Sequence, residues 1–212
     1  MPRPARVSPD RILAAAAVEF AARGFAGARV DRIARRARVN KAMLYYHFQS
    51  KQGLYRTLLR RTFTTAAERM ETIAAGSGTA AEKVDRVIAG IAGLIRDHAF
   101  FPAIMLREVA EGGAHLDRDT LLTLAAVPRA VGGIVQQGVA QGAFRAVNPI
   151  FAYFSMLAPI VFYLAADPIR KELGALHPSA FQSRAPDEFV RHMQDAMRCA
   201  LARDVAAARP TS

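Results

Sequence analysis

The chain has 212 residues and a net charge of +11, and 52% of its residues are hydrophobic, which is enough to bury a sizeable core. This composition excludes a disordered chain, and the single cysteine, Cys199, excludes an internal disulfide framework. We expect Cys199 to be a small buried residue on the last helix, and the protein to be cytoplasmic, where thiols stay reduced.

The positive charge is confined to the first third of the chain. Residues 1–61 contain fourteen Lys and Arg residues against three acidic residues, whereas residues 62–212 contain fifteen of each. A basic segment joined to a neutral one indicates a polyanionic partner for the first and a different role for the second. The alternative is a basic surface that interacts only with solvent, and composition alone does not decide between the two.

Helical periodicity and capping residues predict four helices in the basic segment. Ser8 is a suitable cap for the first helix, and Gly24 ends it so that Phe25 folds back onto the core. Asn40 caps the third helix and Ser50 the fourth. The predicted helices are 8–23, 30–37, 41–48 and 51–75.

The remaining two thirds of the chain show the same periodicity and no alternation typical of strands, so the sequence predicts an all-α protein. A capping box at 79–82 opens the next predicted helix, whose apolar stripe runs from Val84 to Ile95. Further helices are predicted over 102–111, over 117–141 with a kink at Pro128, from Asn148 to an interruption at Asp167-Pro168, and over 186–203 after a loop rich in Pro, Ser and Gly. We predict two domains, 1–52 and 53–212.

One segment, 146–166, contains no charged residue and is nearly long enough to span a membrane. It contains Pro149 and Pro159, and the basic residues near it show no one-sided bias. We therefore predict a buried helix of an all-α protein and no membrane partner.

Two short helices joined by the three-residue turn 38–40, in the most basic part of the chain, predict a helix-turn-helix. The major groove of DNA is wide enough to admit the second helix, whose first residues then meet the base edges. Lys41 can donate to guanine acceptors and Met43 can touch a thymine methyl. The residues at the start of this helix are Asn40, Lys41, Ala42 and Met43, of which Asn40 can reach either a base or a phosphate. Those that follow as donors to the sugar-phosphate backbone are Tyr45, Tyr46, His47 and Lys51.

The stretch from Gly24 to Lys51, with the run Leu-Tyr-Tyr-His-Phe at 44–48 before Ser50, resembles the DNA-binding domain of TetR-family transcription repressors. The resemblance covers about residues 8–60. It implies an N-terminal three-helix DNA-binding domain and a C-terminal helical domain that binds a ligand and dimerises. It also implies base contacts by Lys41, Ala42 and Met43, and phosphate contacts by Tyr45, Tyr46, His47 and Lys51.

The chain departs from the family pattern at three positions. Hydroxyl residues are usual where Ala28 and Arg29 stand, and the charge of Arg29 can replace the lost phosphate contact. Glycine is frequent where Arg38 stands, and a left-handed conformation there would cost Arg38 about 1 kcal/mol.

A helix that reads the groove usually works in pairs, so the second domain has to supply a dimer interface. The charge-free helix is apolar on all sides, so one stripe can face its own domain and another a partner. The resemblance implies a four-helix interface between this helix and the last one, and the alternative is a purely intramolecular core. The residues predicted for the homodimer interface are Phe151, Ser155, Val161, Phe189, Met193, Met197 and Leu201.

Family members hold a small-molecule effector between the helices of the second domain, so the resemblance also implies a pocket. Its predicted lining is Phe101, Met105, Glu108, Phe154 and Phe162, with Glu111 and His115 as further polar contacts. Plain core packing is the alternative for these apolar residues. An apolar lining indicates an apolar or aromatic effector.

The sequence thus predicts a dimeric repressor that a small molecule releases from a palindromic DNA operator. The alternative is an architectural DNA-binding protein without an effector. The sequence shows no nucleophile elbow, no phosphate-cradling loop and no histidine at ligand spacing, so we expect no enzyme, no cofactor and no metal.

Overall fold

The structure, a computed structural model, describes residues 8–178 and 185–203. These residues form ten α-helices and contain no β-sheet. The helices are α1 (Pro9–Gly27), α2 (Val30–Ala37), α3 (Lys41–Phe48), α4 (Lys51–Ala75), α5 (Ala80–Asp97), α6 (Phe101–Ala110), α7 (Arg118–Ala140), α8 (Pro149–Ala165), α9 (Asp167–Leu176) and α10 (Pro186–Leu201). The all-α fold that the sequence predicts is confirmed.

The helices group into two compact units. The first unit takes its described residues from Met1–Thr64 and His98–Thr123, and the second from Thr65–Asp97 and Leu124–Ser212. Helix α6 therefore belongs with the N-terminal helices, although it follows α5 in the chain. This grouping does not test the predicted domain boundary after residue 52, which stays a prediction.

The first unit is held together by an aromatic cluster at the kink of α1. The Oγ of Ser8 accepts a hydrogen bond from the backbone N–H of Asp10, which begins the helix as predicted. Gly24 has φ 67° and ψ 178°, a conformation that favours glycine and breaks the helix. The ring of Phe25 then turns inward, with its centre 6.1 Å from Phe20 and 5.1 Å from Tyr55.

The second unit has its core between α5, α8 and α10. The predicted capping box begins α5, because Thr79 and Glu82 exchange hydrogen bonds between side chain and backbone N–H. The apolar stripe of α5 contacts Met156 of α8 and Met193 of α10 within one cluster of buried side chains. Burial of this apolar surface is the main stabilising contribution to the unit.

Two details, an additional helix and the exposure of Cys199, differ from the sequence prediction. The chain forms an additional helix, α9, directly after α8, and its first turn is stabilised by ion pairs from Asp167 to Arg170 and Lys171. Pro128 lies inside α7, as the predicted helix has it, and the kink stays a prediction. Cys199 is exposed rather than buried, because the inward face of α10 is formed by positions 190, 193, 197 and 201. The predicted loop before α10 lies partly outside the described residues.

Among the described residues, no single helix has the length and apolar character needed to cross a membrane. Two bent helix pairs, α5 with α6 and α8 with α9, reach that length and apolar character only when the two helices of each pair are counted together.

Candidate DNA-binding site

The turn between α2 and α3 has the geometry that a helix-turn-helix requires. Arg38 is left-handed, with φ 53° and ψ 47°, and the N–H of Val39 donates to the carbonyl of Ala34 at 3.0 Å. This bond satisfies one of the free carbonyls at the end of α2. Arg38 thus accepts the strain that the sequence predicted, about 1 kcal/mol, in place of a glycine.

Helix α3 begins at a side-chain cap and buries one face. The Oδ1 of Asn40 accepts a hydrogen bond of 2.7 Å from the N–H of Met43, so the carbonyl of this amide is used as the helix cap. Leu44 and Phe48 are buried, as predicted, and hold the helix against its own unit. The opposite face is therefore free to enter a groove.

That outward face presents four of the predicted contact residues. Tyr46 is 80% exposed and Tyr45 is 41% exposed, while Lys41 and Ala42 are also exposed. Met43 and His47 are half-buried at the sides of the same face, and the ring of His47 lies 5.2 Å from that of Tyr46. The predicted contact residues within α3 thus lie on one side of this helix, whereas Lys51 lies on α4.

Lys41 has a partner in this structure. Its ammonium lies 3.0 Å from a carboxylate oxygen of Asp31 on α2, and this hydrogen bond raises the pKa of Lys41 above its ordinary value. The side chains of Lys41 and Asp31 are 50% and 62% exposed, so water screens their charges. Separating the two side chains therefore costs little free energy. A base contact by Lys41 stays a prediction, and it would require the ammonium to leave Asp31.

Lys51 lies at the start of α4 and points back toward the end of α1. Its Nζ donates to the carbonyl oxygens of Phe25 at 2.8 Å and Ala28 at 3.2 Å, and it lies 4.6 Å above the ring of Phe25. These contacts take up the donors of the ammonium. A phosphate contact by Lys51 stays a prediction, and it would have to share these donors.

A buried carboxylate that the sequence prediction missed lies behind Arg29. Glu19 is 6% exposed, and its Oε1 accepts a hydrogen bond of 3.3 Å from the N–H of Arg29. Arg23 and Arg32 each place a guanidinium nitrogen 3.6 Å from the same oxygen. Glu19 thus fixes the start of α2, where a hydroxyl cap is absent, and leaves the side chain of Arg29 exposed.

The structure corrects part of the predicted dimer interface. Met193, Met197 and Leu201 are buried in the core of their own unit, so their side chains cannot form a surface for a partner. Val161 and Phe189 are half-buried against the same core. The predicted residues that do lie on the surface are Phe151, which is 68% exposed, and Ser155.

The predicted effector residues are also divided. Phe154 and Phe162 are 54% and 70% exposed on α8, because Tyr153, Met156 and Ile160 form the buried face of that helix. The two phenylalanines therefore do not line an enclosed site within their own unit. Phe101 and Met105 are half-buried on α6 in the first unit. Glu108 is 1% exposed and its carboxylate is hydrogen-bonded.

The structure brings together Glu108, Glu111 and His115, whose positions along the chain do not follow a metal-ligand motif. The Nδ1 of His115 lies 2.9 Å from a carboxylate oxygen of Glu108 and 3.4 Å from one of Glu111. One potential ligand atom from each residue lies within 4.8 Å of the other two. The sequence showed no histidine at ligand spacing, because this proximity arises only from the fold, and the expectation of no metal is not tested by it.

A capped turn, an outward polar helix face and a basic first unit define a helix-turn-helix DNA-binding protein. Residues 12–58 match the model of bacterial regulatory proteins of the tetR family, and residues 81–196 match that of the tetracyclin repressor-like C-terminal domain. The chain belongs to the TetR family of transcription regulators. This agrees with the resemblance seen in the sequence around 44–48.

Curated relatives agree with this assignment. The chain is 27% identical over 157 residues to the HTH-type transcriptional repressor NicS of Pseudomonas putida, which covers 73% of this chain and 74% of that protein. It is also 47% identical to the HTH-type transcriptional repressor SCO4008 of Streptomyces coelicolor over 51 residues. This match covers 24% of this chain and 27% of that protein.

Solved structures share the fold at low identity. FadR of Bacillus halodurans, a fatty acid degradation regulator, has a TM-score of 0.71 at 14% identity and covers 93% of this chain and 96% of its own. FadR of Bacillus subtilis, solved with stearoyl-CoA, has a TM-score of 0.68 at 16% identity and covers 92% of this chain and 100% of its own. At such identities the likeness concerns the fold alone.

Proposed function

We propose that this protein is a dimeric, site-specific transcription repressor that a small molecule releases from a palindromic operator. The observation that carries the proposal is the arrangement of α3, which buries Leu44 and Phe48 and turns Lys41, Ala42 and Tyr46 outward. The likeness to the NicS repressor over most of both chains supports repression as the direction of control.

The DNA contacts fall into two groups by chemistry. The first turn of α3 contains Lys41, Ala42 and Met43. A recognition helix that lies in the major groove contacts the base edges with these N-terminal positions. The second group donates hydrogen bonds to phosphates and sets the register, and it consists of Arg29, Asn40, Tyr45, Tyr46, His47 and Lys51. Because Asn40 uses its Oδ1 as a helix cap, its amide NH₂ is the part left for DNA.

The exposed face of α8 supports the dimer. Phe151, Phe154 and Phe162 are 68%, 54% and 70% exposed. Phe154 follows Phe151 by three residues and Phe162 follows it by eleven, so the three rings lie on one side of the helix. Ser155 lies beside them and allows close approach. Three exposed phenylalanines on one helix mark an interaction surface, and a second copy of the same face is the occupant that a palindromic operator requires.

The effector part of the proposal rests on the family and on chemistry. The Bacillus subtilis regulator was solved with stearoyl-CoA, which supports an apolar ligand in a protein of this fold. Phe101 and Met105 are the proposed apolar contacts in this chain, since both are only partly buried by the rest of the protein.

Selection of binding sites from a pool of random DNA duplexes tests the proposal, with the purified full chain at near-physiological salt. Enrichment of a two-fold symmetric sequence is the expected result. Binding without any enrichment would contradict site-specific repression and favour the architectural alternative. Repeating the selection with Lys41→Ala, which alters an exposed residue in the first turn of α3, shows whether the enriched sequence depends on this helix.

A further inference from the structure

A carboxylate in the first unit is almost completely shielded from water. Glu108 on α6 is 1% exposed, and its partners are the hydroxyl of Tyr55 at 2.6 Å and the Nδ1 of His115 at 2.9 Å. Within the described part of the chain, the ion pairs of Glu108 are limited to His115. A buried carboxylate is stable only where positive charge or several hydrogen bonds compensate for the lost hydration.

The chain returns to Glu108 through a tight turn. Gly112 and Gly113 have φ of 67° and 74°, and the N–H of Gly113 donates to the backbone carbonyl of Glu108 at 2.7 Å. This turn ends α6 and carries His115 back over the last turn of the helix. The imidazole therefore meets Glu108 and also Glu111, whose side chain is 46% exposed.

We propose that Glu108, Glu111 and His115 form a binding site for a divalent transition-metal ion, for which Zn²⁺ is the best match. One imidazole nitrogen and two carboxylate oxygens are ligands that Zn²⁺ takes in proteins, and a fourth position stays open for water. Ligand atoms around a tetrahedral zinc ion, at bond lengths of ~2.0–2.2 Å, lie about 3.4 Å apart. The nitrogen of His115 lies 2.9 and 3.4 Å from the two carboxylate oxygens, so small side-chain rotations suffice.

The groups around the cluster are those that support a metal ligand. The hydroxyl of Tyr55 donates a hydrogen bond of 2.6 Å to the carboxylate of Glu108. The backbone N–H of His115 lies 3.4 Å from the second carboxylate oxygen of Glu108. Such hydrogen bonds fix the orientation of the ligating oxygens, and a divalent cation cancels the charge of the two carboxylates.

The cluster shares neighbours with the helix-turn-helix. The imidazole of His115 lies with its centre 4.1 Å from the ring of Phe25, and that ring also contacts Tyr55 and the ammonium of Lys51. A metal ion that fixes His115 should therefore stabilise the packing at the end of α1. The sequence predicts Glu108, Glu111 and His115 as polar contacts of the effector, whereas metal binding by the same residues requires neither DNA nor an organic ligand.

Metal binding is measured on the full chain after treatment with a chelator. CoCl₂ is added as a spectroscopic probe, and ZnCl₂ is then used to displace it. We expect one Co²⁺ per protomer with the visible absorption of a low-symmetry site, displacement by Zn²⁺, and a higher Tm with Zn²⁺. Absence of saturable binding of both metals would overturn the proposal.

Two ligand variants and two matched controls locate the site. Glu111→Gln changes a half-exposed side chain and should fold normally, and His115→Ala removes the imidazole. Each should weaken Co²⁺ binding at least tenfold and abolish the rise in Tm with Zn²⁺. Glu172→Gln and His177→Asn alter exposed residues elsewhere and should bind as the unchanged protein does. Unchanged binding by Glu111→Gln and His115→Ala would overturn the proposal, whatever the protein does on DNA.

Discussion

The ammonium nitrogen of Lys51 lies 2.8 Å from the carbonyl oxygen of Phe25 and 4.6 Å from the centre of its ring. The same nitrogen bonds the carbonyl of Ala28, the residue before the N-cap of α2. Lys51 thus joins the first turn of α4 to the segment that leads into the helix-turn-helix. This is a positioning role, and it is separate from the phosphate contact that the resemblance implies.

The two roles of Lys51 differ in their dependence on salt. Lys51→Met should lower the free energy of unfolding by about 1.5–3 kcal/mol, because carbonyls lose hydrogen bonds to a charged group. If Lys51 also neutralises a phosphate, the slope of log K against log salt should flatten by about one unit. Denaturant unfolding and DNA titrations at several salt concentrations measure both.

Lys171→Met is the matched control for Lys51, since Lys171 is an exposed lysine that pairs with Asp167 on α9. It should leave both the stability and the salt slope nearly unchanged. A weaker affinity of Lys51→Met with an unchanged slope would remove Lys51 from the phosphate contacts.

Tyr46 is 80% exposed, so its side chain contributes little to the stability of the free protein. Tyr46→Ala should keep the unfolding free energy within about 0.5 kcal/mol and weaken binding to all DNA sequences by a similar factor. Tyr46→Phe is the matched variant, and it should lose most of the same affinity if the hydroxyl bonds a phosphate. A change in the preferred bases with either variant would refute the phosphate role.

Lys41 and Asp31 form an exposed pair that DNA has to separate. Lys41→Ala should relax the base preference at one position of each half-site, because one donor to the base edges is lost. Asp31→Asn should strengthen binding, since it frees Lys41 and removes a negative charge near the phosphates. Site selection and affinity measurements with both variants test this, and an unchanged preference with Lys41→Ala would exclude it as a base reader.

The exposed phenylalanines of α8 predict a dimer that a single charge can disrupt. Phe154→Glu should convert the protein to monomers with unchanged helix content, because the side chain is 54% exposed and outside its own core. Sedimentation measures the mass, and operator affinity should fall with it. Leu122→Glu, at an exposed apolar residue of α7, is the control and should stay dimeric. A dimer that survives Phe154→Glu would place the interface elsewhere.

The helix-turn-helix could be predicted almost completely from the sequence. The predicted helices 30–37 and 41–48 have the observed bounds, and the cap by Asn40 was expected. The sequence left the conformation of Arg38 open, and the structure shows it to be left-handed. Capping, turn conformation and short helical periodicity act over only a few neighbouring residues. These features can therefore be recognised from a single sequence.

The orientation of longer helices was less predictable. Helix α8 is apolar on all sides, and local sequence does not say which stripe faces inward, whereas the structure buries Tyr153, Met156 and Ile160. In α10 the residues assigned to a partner, among them Met193 and Met197, pack inside their own unit. Those outcomes depend on which other helices are adjacent.

The sequence by itself determined the all-α class, the basic first unit and the DNA-reading helix, because charge, capping and periodicity are local properties. Only the tertiary structure decided that Glu108, Glu111 and His115 meet, that Lys51 reaches the end of α1, and that Glu19 is buried under α2. Each of these contacts depends on how the backbone turns and on which helices pack together. Interactions across the whole unit fix those features, and no short stretch of sequence contains them.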